Sequence, residues 1–109
     1  MPVKFDINET LASMSQAIKG AVAENWSEAK SVANEFLNRR KERLSLLADL
    51  RLSGDLSQKK FESRLEDEKL ILEAELHAVA VIGKAIAQQA ANAAMDVLQK
   101  AVKAALGAG

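Results

Sequence analysis

Apolar side chains recur along this chain with the period of an α-helix, in two long segments separated by one short break. The first segment runs from about residue 7 to residue 52, and the second from about residue 57 to residue 106. At about 100° per residue, most apolar positions of each segment fall near one line along a helix surface. The pattern predicts two helices of about 45 to 50 residues, each roughly 70 Å long at about 1.5 Å per residue.

The break at residues 53–56 consists of turn-forming residues. Gly54 suits the left-handed position after a helix C-terminus, because glycine has no β-carbon to clash there. Ser57 is predicted to cap the second helix through its hydroxyl oxygen. Leu56 and Phe61, on either side of that cap, have the spacing of a hydrophobic staple. The sequence therefore predicts an all-α fold, a single domain over residues 1–109 built as a long antiparallel helical hairpin.

A hairpin centred on Gly54 brings apolar residues of the two predicted helices opposite one another. Phe36 is expected opposite Leu72, for example. Trp26 is expected to face Gly83, whose missing side chain would explain a mid-helix glycine that costs about 1 kcal/mol relative to alanine. The predicted hairpin core consists of Leu11, Ile18, Val22, Trp26, Phe36, Leu47, Phe61, Leu72, Leu76, Val79, Gly83, Ile86 and Val97.

One layer of this predicted seam is polar. The same register places Arg40 opposite Glu68, both on the apolar lines of their helices. In one interpretation the two side chains form an ion pair that fixes the register, as polar layers do in coiled coils. In the other, both side chains extend along the bundle surface to water. The sequence leaves the two interpretations equally open.

Apolar surface in excess of one seam predicts self-association. A lone hairpin leaves most of each helix wet, and burial along one seam does not offset the conformational entropy lost on ordering both helices. Two hairpins that associate as a four-helix bundle, or as a coiled-coil-like dimer, would cover that surface. A weaker apolar stripe on the second helix is the candidate oligomer interface, and its residues are Leu70, Ala74, His77 and Val81.

Charge is balanced overall but unevenly distributed. The chain has 15 cationic and 15 anionic residues, so no net charge attracts nucleic acid or anionic lipid. Most of the charges lie in residues 39–75, whereas alanine dominates the half that carries both termini. Small side chains let helices approach closely, so we expect any partner to bind at the alanine-rich end.

Candidate chemistry is sparse. The absence of cysteine excludes disulfides and thiol chemistry. Glu73 and His77 have a spacing that can hold a metal on one helix face, but a surface or interface histidine is the favoured interpretation. The basic cluster Arg39–Arg43 points in all directions around its helix and is interpreted as solvated charge. No nucleotide-binding or nucleophile motif is present, so we expect no enzymatic activity, cofactor, metal, small-molecule substrate or nucleic-acid partner.

The most apolar stretch, residues 78–106, does not have the character of a membrane span. Lys84, Asp96, Lys100 and Lys103 interrupt it, whereas a bilayer span needs about 20 largely uncharged residues. The first residues lack the apolar core of a signal peptide. We therefore expect a cytoplasmic protein without a transmembrane segment.

The turn region also resembles a known family. Its pattern is Leu47 and Leu50, then Gly54-Asp55-Leu56-Ser57, then Phe61 and Lys69-Leu70. This pattern is similar to the short C-terminal oligomerisation hairpin family, although Lys60 stands where that family has an acidic residue. The resemblance covers residues 47–70 and implies self-association.

These features together favour a non-enzymatic structural, scaffold or adaptor protein that acts through helix–helix contacts. Its first partner would be a second copy of the chain, with another helical protein as the alternative. Two other functions stay open. One is a surface-active helical protein that binds a lipid or polymer surface, resembling phasin-type granule coats, and the other is a small exported helical hairpin.

Overall fold

The computed structural model describes residues 5–107, and this part of the chain is almost entirely helical. Its α-helices are α1 (Ile7–Val22), α2 (Trp26–Ser53), α3 (Gln58–His77) and α4 (Lys84–Gly107). A single 3-10 turn, Ala23–Asn25, joins α1 to α2. The described residues contain no β-strand, and the prediction of an all-α fold is confirmed.

Each of the two long helices predicted from the sequence is broken in two, so that part of the prediction is wrong. The first break follows Val22, where Ala23 adopts φ 52° and ψ −120°. The second break spans residues 78–83, between α3 and α4. The longest extent of the molecule is 43 Å, far short of the roughly 70 Å of an unbroken helix of that length. Hydrophobic periodicity identifies the buried face of a helix. Because the apolar pattern continues through both breaks, periodicity alone does not reveal them.

The chain is a long hairpin that is folded once across its middle. α1 packs most extensively against α4, α2 packs against α3, and the fold brings α1 onto α2 and α4 onto α3. The hydroxyl of Ser15 on α1 lies 3.1 Å from Oδ1 of Asn34 on α2, within hydrogen-bond distance. This contact places α1 antiparallel to α2, because the two residues are about equally far from the 3-10 turn. The result is a four-helix bundle within one chain.

The turn between α2 and α3 has the structure that its residues predict. Gly54 adopts φ 87° in the left-handed region. The hydroxyl of Ser57 accepts a hydrogen bond from the backbone N–H of Lys60 at 3.2 Å. The N–H of Leu56 donates to the carbonyl oxygen of Leu50 at 3.0 Å, and the Leu56 side chain packs against the core. The predicted roles of the glycine and of the serine cap are confirmed.

A turn lies between α3 and α4, where the sequence pattern predicts continuous helix. The carbonyl oxygen of Gly83 accepts from the N–H of Ala87 at 2.9 Å, so Gly83 lies at the start of α4 rather than inside a helix. It is exposed, and a β-carbon at this position would meet no atom within 4 Å. The prediction that Gly83 makes room for Trp26 is therefore wrong. Ile82, which is 2% exposed, supplies the buried apolar side chain at this turn.

Most of the predicted core residues lie in the core of the bundle. The fully buried ones are Ile18, Val22, Phe36, Leu47, Phe61, Leu72 and Leu76. Those that are partly buried and pack against the core are Leu11, Trp26, Val79, Ile86 and Val97. Gly83 is the one predicted core residue that is exposed.

Sequence reasoning missed a second buried stripe on α4. Its members are Ala87, Ala91, Met95, Leu98 and Val102. They recur at intervals of three or four residues, next to the stripe that contains Ile86 and Val97. α4 needs both stripes because it packs against α1 and also against α3. The spacing of these residues was visible in the sequence. It was not interpreted as a buried stripe because, in a two-helix hairpin, α4 would have only one neighbouring helix.

Candidate interaction surface

The outward face of α3 exposes apolar side chains on the side opposite the core. Phe61, Leu72 and Leu76 point inward and are fully buried. We call Leu70, Ala74, His77 and Val81 the outer stripe. The first three lie on α3 at spacings of four and three residues, which place them on one helix face, and Val81 follows the end of the helix. All four residues are exposed in the folded chain.

The exposure of the outer stripe is substantial for its two large aliphatic side chains. Leu70 is 50% exposed and Val81 is 52% exposed, and the adjacent Ile71 is 37% exposed. Scattered apolar residues are normal on protein surfaces, whereas grouped ones mark interaction sites. Leu46 on α2 provides the contrast. It is 48% exposed, but it lies on another helix, outside the outer stripe.

His77 joins the outer stripe to the turn that follows α3. Its Nδ1 lies 3.3 Å from the carbonyl oxygen of Ile82, and an N–H on that nitrogen donates to it. The imidazole therefore bridges the end of α3 and the last residues before α4. Within residues 5–107, no group of three acidic or histidine side chains is arranged to hold a metal ion.

Charges of both signs precede the outer stripe along α3. Lys59 and Lys60 are exposed in the first turn of α3. Glu66 and Asp67 are exposed in the middle of the helix, one turn before Leu70. The surface of α3 is thus cationic at its start, anionic at its centre and apolar towards its C-terminal end.

The predicted polar layer is an ion pair between α2 and α3. Nη2 of Arg40 donates to both carboxylate oxygens of Glu68, at 2.8 Å and 2.7 Å. Nε of Arg40 lies 3.1 Å and 3.2 Å from the same two oxygens. Glu68 is 2% exposed. Of the two interpretations that the sequence left open, the structure contains the ion pair. A charge-assisted pair of this geometry fixes the register of the two helices.

A second ion pair lies outside the first on the same two helices. Arg39 pairs with Glu75, and its guanidinium carbon lies 5.9 Å from the centre of the Phe36 ring, within the range of a cation–π contact. Two of the cations in the predicted basic cluster Arg39–Arg43 are therefore neutralised by carboxylates of α3. The interpretation of the cluster as solvated charge fits the exposed Arg39 and Arg43, whereas Arg40 is part of an ion pair with the buried Glu68.

Alanines of α4 are used inside the bundle rather than at its surface. Ala87, Ala90, Ala91 and Ala94 are completely buried. Small side chains let neighbouring helices approach closely, and here the neighbours are helices of the same chain. We expected a partner at this alanine-rich end, but the faces that motivated the expectation are already covered.

Three charged side chains that line the groove between α3 and α4 form ion pairs within their own helices. This groove of about 440 Å³ is lined by side chains that include Glu62, Glu66, Lys69, Asn92 and Asp96. Lys69 pairs with Glu66 at 2.9 Å, and Asp96 pairs with Lys100 at 2.8 Å. Among the described residues, every buried side-chain nitrogen or oxygen has a hydrogen-bond partner. Contacts within the chain leave the outer stripe uncovered.

None of the described helices is both long and apolar enough to cross a lipid bilayer. The resemblance of the turn to an oligomerisation hairpin rests on residues 47–70 alone. No protein-family model, no curated protein and no solved structure matches this chain.

Proposed function

We propose that this protein is a non-enzymatic scaffold or adaptor that acts through helix–helix contacts, with a second copy of itself as its first partner. The observation that carries the proposal is the outer stripe of α3. Its large aliphatic residues are half-exposed, although the inner face of every helix is buried. The proposed contact is between the outer stripes of two copies.

The fold changes the reason for expecting self-association. A straight hairpin cannot bury enough apolar surface alone, but folding across the middle gives each half of the hairpin a partner in the same chain. The remaining drive comes from the outer stripe. Burying a fully exposed leucine contributes about 1.5–3 kcal/mol, so covering a half-exposed one contributes about half as much. We therefore propose a reversible dimer of folded monomers.

Charge on α3 favours an antiparallel arrangement of the two copies. A two-fold axis across the middle of the outer stripe would run the two copies of α3 antiparallel and place Leu70 of one copy against Val81 of the other. A parallel arrangement would place groups of like charge side by side, which is unfavourable. A two-fold contact is also the commonest way for identical chains to associate.

The experiment compares two leucines of equal exposure. Leu70→Glu places a carboxylate in the proposed interface, against the apolar side chains of the other copy's outer stripe. Leu46→Glu places the same carboxylate on an equally exposed site outside it. Light scattering at protein concentrations from about 1 µM to the order of 1 mM covers the affinities expected for a weak dimer.

We expect the original chain and Leu46→Glu to form dimers over the same range and Leu70→Glu to stay monomeric, with unchanged helix content by circular dichroism. The proposal fails if the original chain is a monomer throughout that range. It also fails if Leu70→Glu and Leu46→Glu dimerise equally.

A further inference from the structure

The bundle consists of two helix pairs that only two short segments connect. The α2–α3 half contains the turn at residues 54–57. The α1–α4 half contains the two helices that lie farthest from that turn along the chain. Within each half the two helices pack on each other, and the halves then pack against one another through α1 on α2 and α4 on α3. The connecting segments are Ala23–Asn25 and residues 78–83.

The first connecting segment lacks the stop signals found at the α2–α3 turn. The N-cap position of α2, Asn25, makes no side-chain capping hydrogen bond. Ala23 has a positive φ with ψ near −120°, a conformation that strains a residue with a β-carbon. The apolar line also continues in phase across the first segment, from Ile18 and Val22 to Ala29. Straightening this segment into helix would relieve the strain and keep the same face buried.

We infer that the two connecting segments form a double hinge, and that the chain exchanges halves with a second copy when the hinge opens. In the exchanged dimer, each chain is a straight hairpin of roughly 70 Å. The α1–α4 half of one copy then covers the α2–α3 half of the other. Self-association by this route does not depend on the outer stripe and is independent of the proposed function.

When the two halves of one chain separate, each exposes a surface that fits the corresponding half of a second copy. The surface that the α2–α3 half presents after opening is the one that α1 and α4 of the same chain cover in the monomer. A second copy offers the same helices, with the same side chains, when the two straight hairpins run in opposite directions. The exchange therefore restores the inter-half contacts, and short strained connections are known to favour such exchange.

Two glycine substitutions distinguish an effect on the hinge from a general increase in helix stability. Gly83 and Gly20 are both exposed, and a β-carbon at either site would meet no atom within 4 Å. Gly83→Ala favours helix at a hinge segment, whereas Gly20→Ala favours helix inside α1, which is helical in both states. Because a dimer contains two hinged chains, we expect Gly83→Ala to raise the dimerisation constant by tenfold or more, and Gly20→Ala to leave it unchanged. Ala23→Gly should lower it, because glycine tolerates the closed conformation.

A disulfide reports which chain supplies the neighbouring half. Ser15 and Asn34 lie on opposite halves with their side chains in contact, and the chain has no cysteine of its own. Ser15→Cys/Asn34→Cys is to be refolded at low and high protein concentration, oxidised, and run on a denaturing gel without reductant. Closed monomers would be bridged within one chain, and exchanged dimers would be bridged between chains.

We expect covalent dimers that increase with refolding concentration and increase further when Gly83→Ala is added. Dimers formed through the outer stripe would be bridged within each chain and run as monomers on the gel, so the result does not depend on the proposed function. Bridges found only within single chains at every concentration would overturn the exchange, as would equal effects of Gly83→Ala and Gly20→Ala.

Discussion

The α2–α3 half and the α1–α4 half are both antiparallel helix pairs, but different devices hold their helices in register. In the α2–α3 half, a left-handed glycine, a serine cap and the Arg40–Glu68 ion pair specify one alignment. In the α1–α4 half, no turn joins the two helices, and the described residues include no ion pair between them. Apolar packing between the large side chains of α1 and the buried alanines of α4 takes the place of polar pairing.

The difference shows two ways to align a pair of helices. Where a turn, a cap and an ion pair align two helices, the alignment depends on a few residues that can be identified in the sequence. Steric specification by alanines is distributed, since each small side chain contributes little and the fit arises from the whole face. The two halves should therefore respond to different kinds of substitution.

The largest effect should follow from breaking the ion pair of the α2–α3 half. Arg40→Ala leaves the carboxylate of Glu68, which is 2% exposed, buried without its partner. We expect the free energy of unfolding to fall by about 3 kcal/mol, as measured by urea denaturation. The double substitution Arg40→Leu/Glu68→Leu removes both charges and should recover most of the loss. A double variant as unstable as Arg40→Ala would contradict this explanation.

Overfilling the α1–α4 half should have the next largest effect. Ala90 is completely buried on α4, in the stripe that contains Ile86 and Val97, and Ala90→Leu adds volume where α4 packs on α1. We expect a loss of about 1–3 kcal/mol in the free energy of unfolding. Ala85→Leu adds the same volume at an exposed position of the same helix and should be close to neutral. If both variants are equally stable, the α1–α4 half is not sterically specified.

The turn of the α2–α3 half is tested by one substitution at two glycines. Gly54→Ala puts a β-carbon on a residue with φ 87° and should reduce the free energy of unfolding by about 1 kcal/mol. Gly20→Ala, at an exposed position inside α1, should raise it by up to about 1 kcal/mol. Thermal unfolding curves of the two variants should therefore shift in opposite directions.

The smallest effect concerns an exposed ion pair on α4. The hydrogen bond to Asp96, together with the attraction between the two charges, raises the pKa of Lys100 above its ordinary value. Asp96→Asn should lower that pKa, as measured by NMR titration of the lysine side chain. A raised pKa stabilises the fold below the unfolded-state pKa and loses its effect as pH rises through the folded-state pKa. Because both side chains are mainly exposed, urea denaturation at neutral pH should detect no change in stability.

Local sequence signals predicted the α2–α3 half well. Gly54 and Ser57 determine the turn through their own backbone and hydroxyl chemistry. Once the turn is placed, helix geometry alone brings Arg40 opposite Glu68. The interpretation of this pair as buried or solvated stayed open, because the choice depends on helices elsewhere in the chain.

The breaks at Ala23 and at residues 78–83 could not be predicted in the same way. The residues of the first break include good helix formers, and the apolar phase continues through it. What determines the fold is a non-local gain, because folding across the middle buries Met95, Leu98 and Val102 on α4. The cluster of β-branched residues at Val79, Val81 and Ile82 before Gly83 was the available local hint, since such residues lower helix propensity.

The location of the outer stripe was predicted, but its use stays a proposal. Helical spacing alone placed Leu70, Ala74 and His77 on the face of α3 that is directed away from the first helix, and all three are exposed. Whether a second copy covers them depends on the free energy of association, which is not encoded in the spacing of residues along one helix.

The half-buried indole of Trp26 is an intrinsic fluorescent probe of the fold. It is the sole tryptophan of a chain that has no tyrosine, and it is the first residue of α2, directly after the strained 3-10 turn. Its intrinsic fluorescence therefore comes from one site, at the junction between the two halves. A change in the geometry of that junction would alter the polarity around the indole and hence its emission wavelength, so the motion of the fold can be followed without attaching a dye.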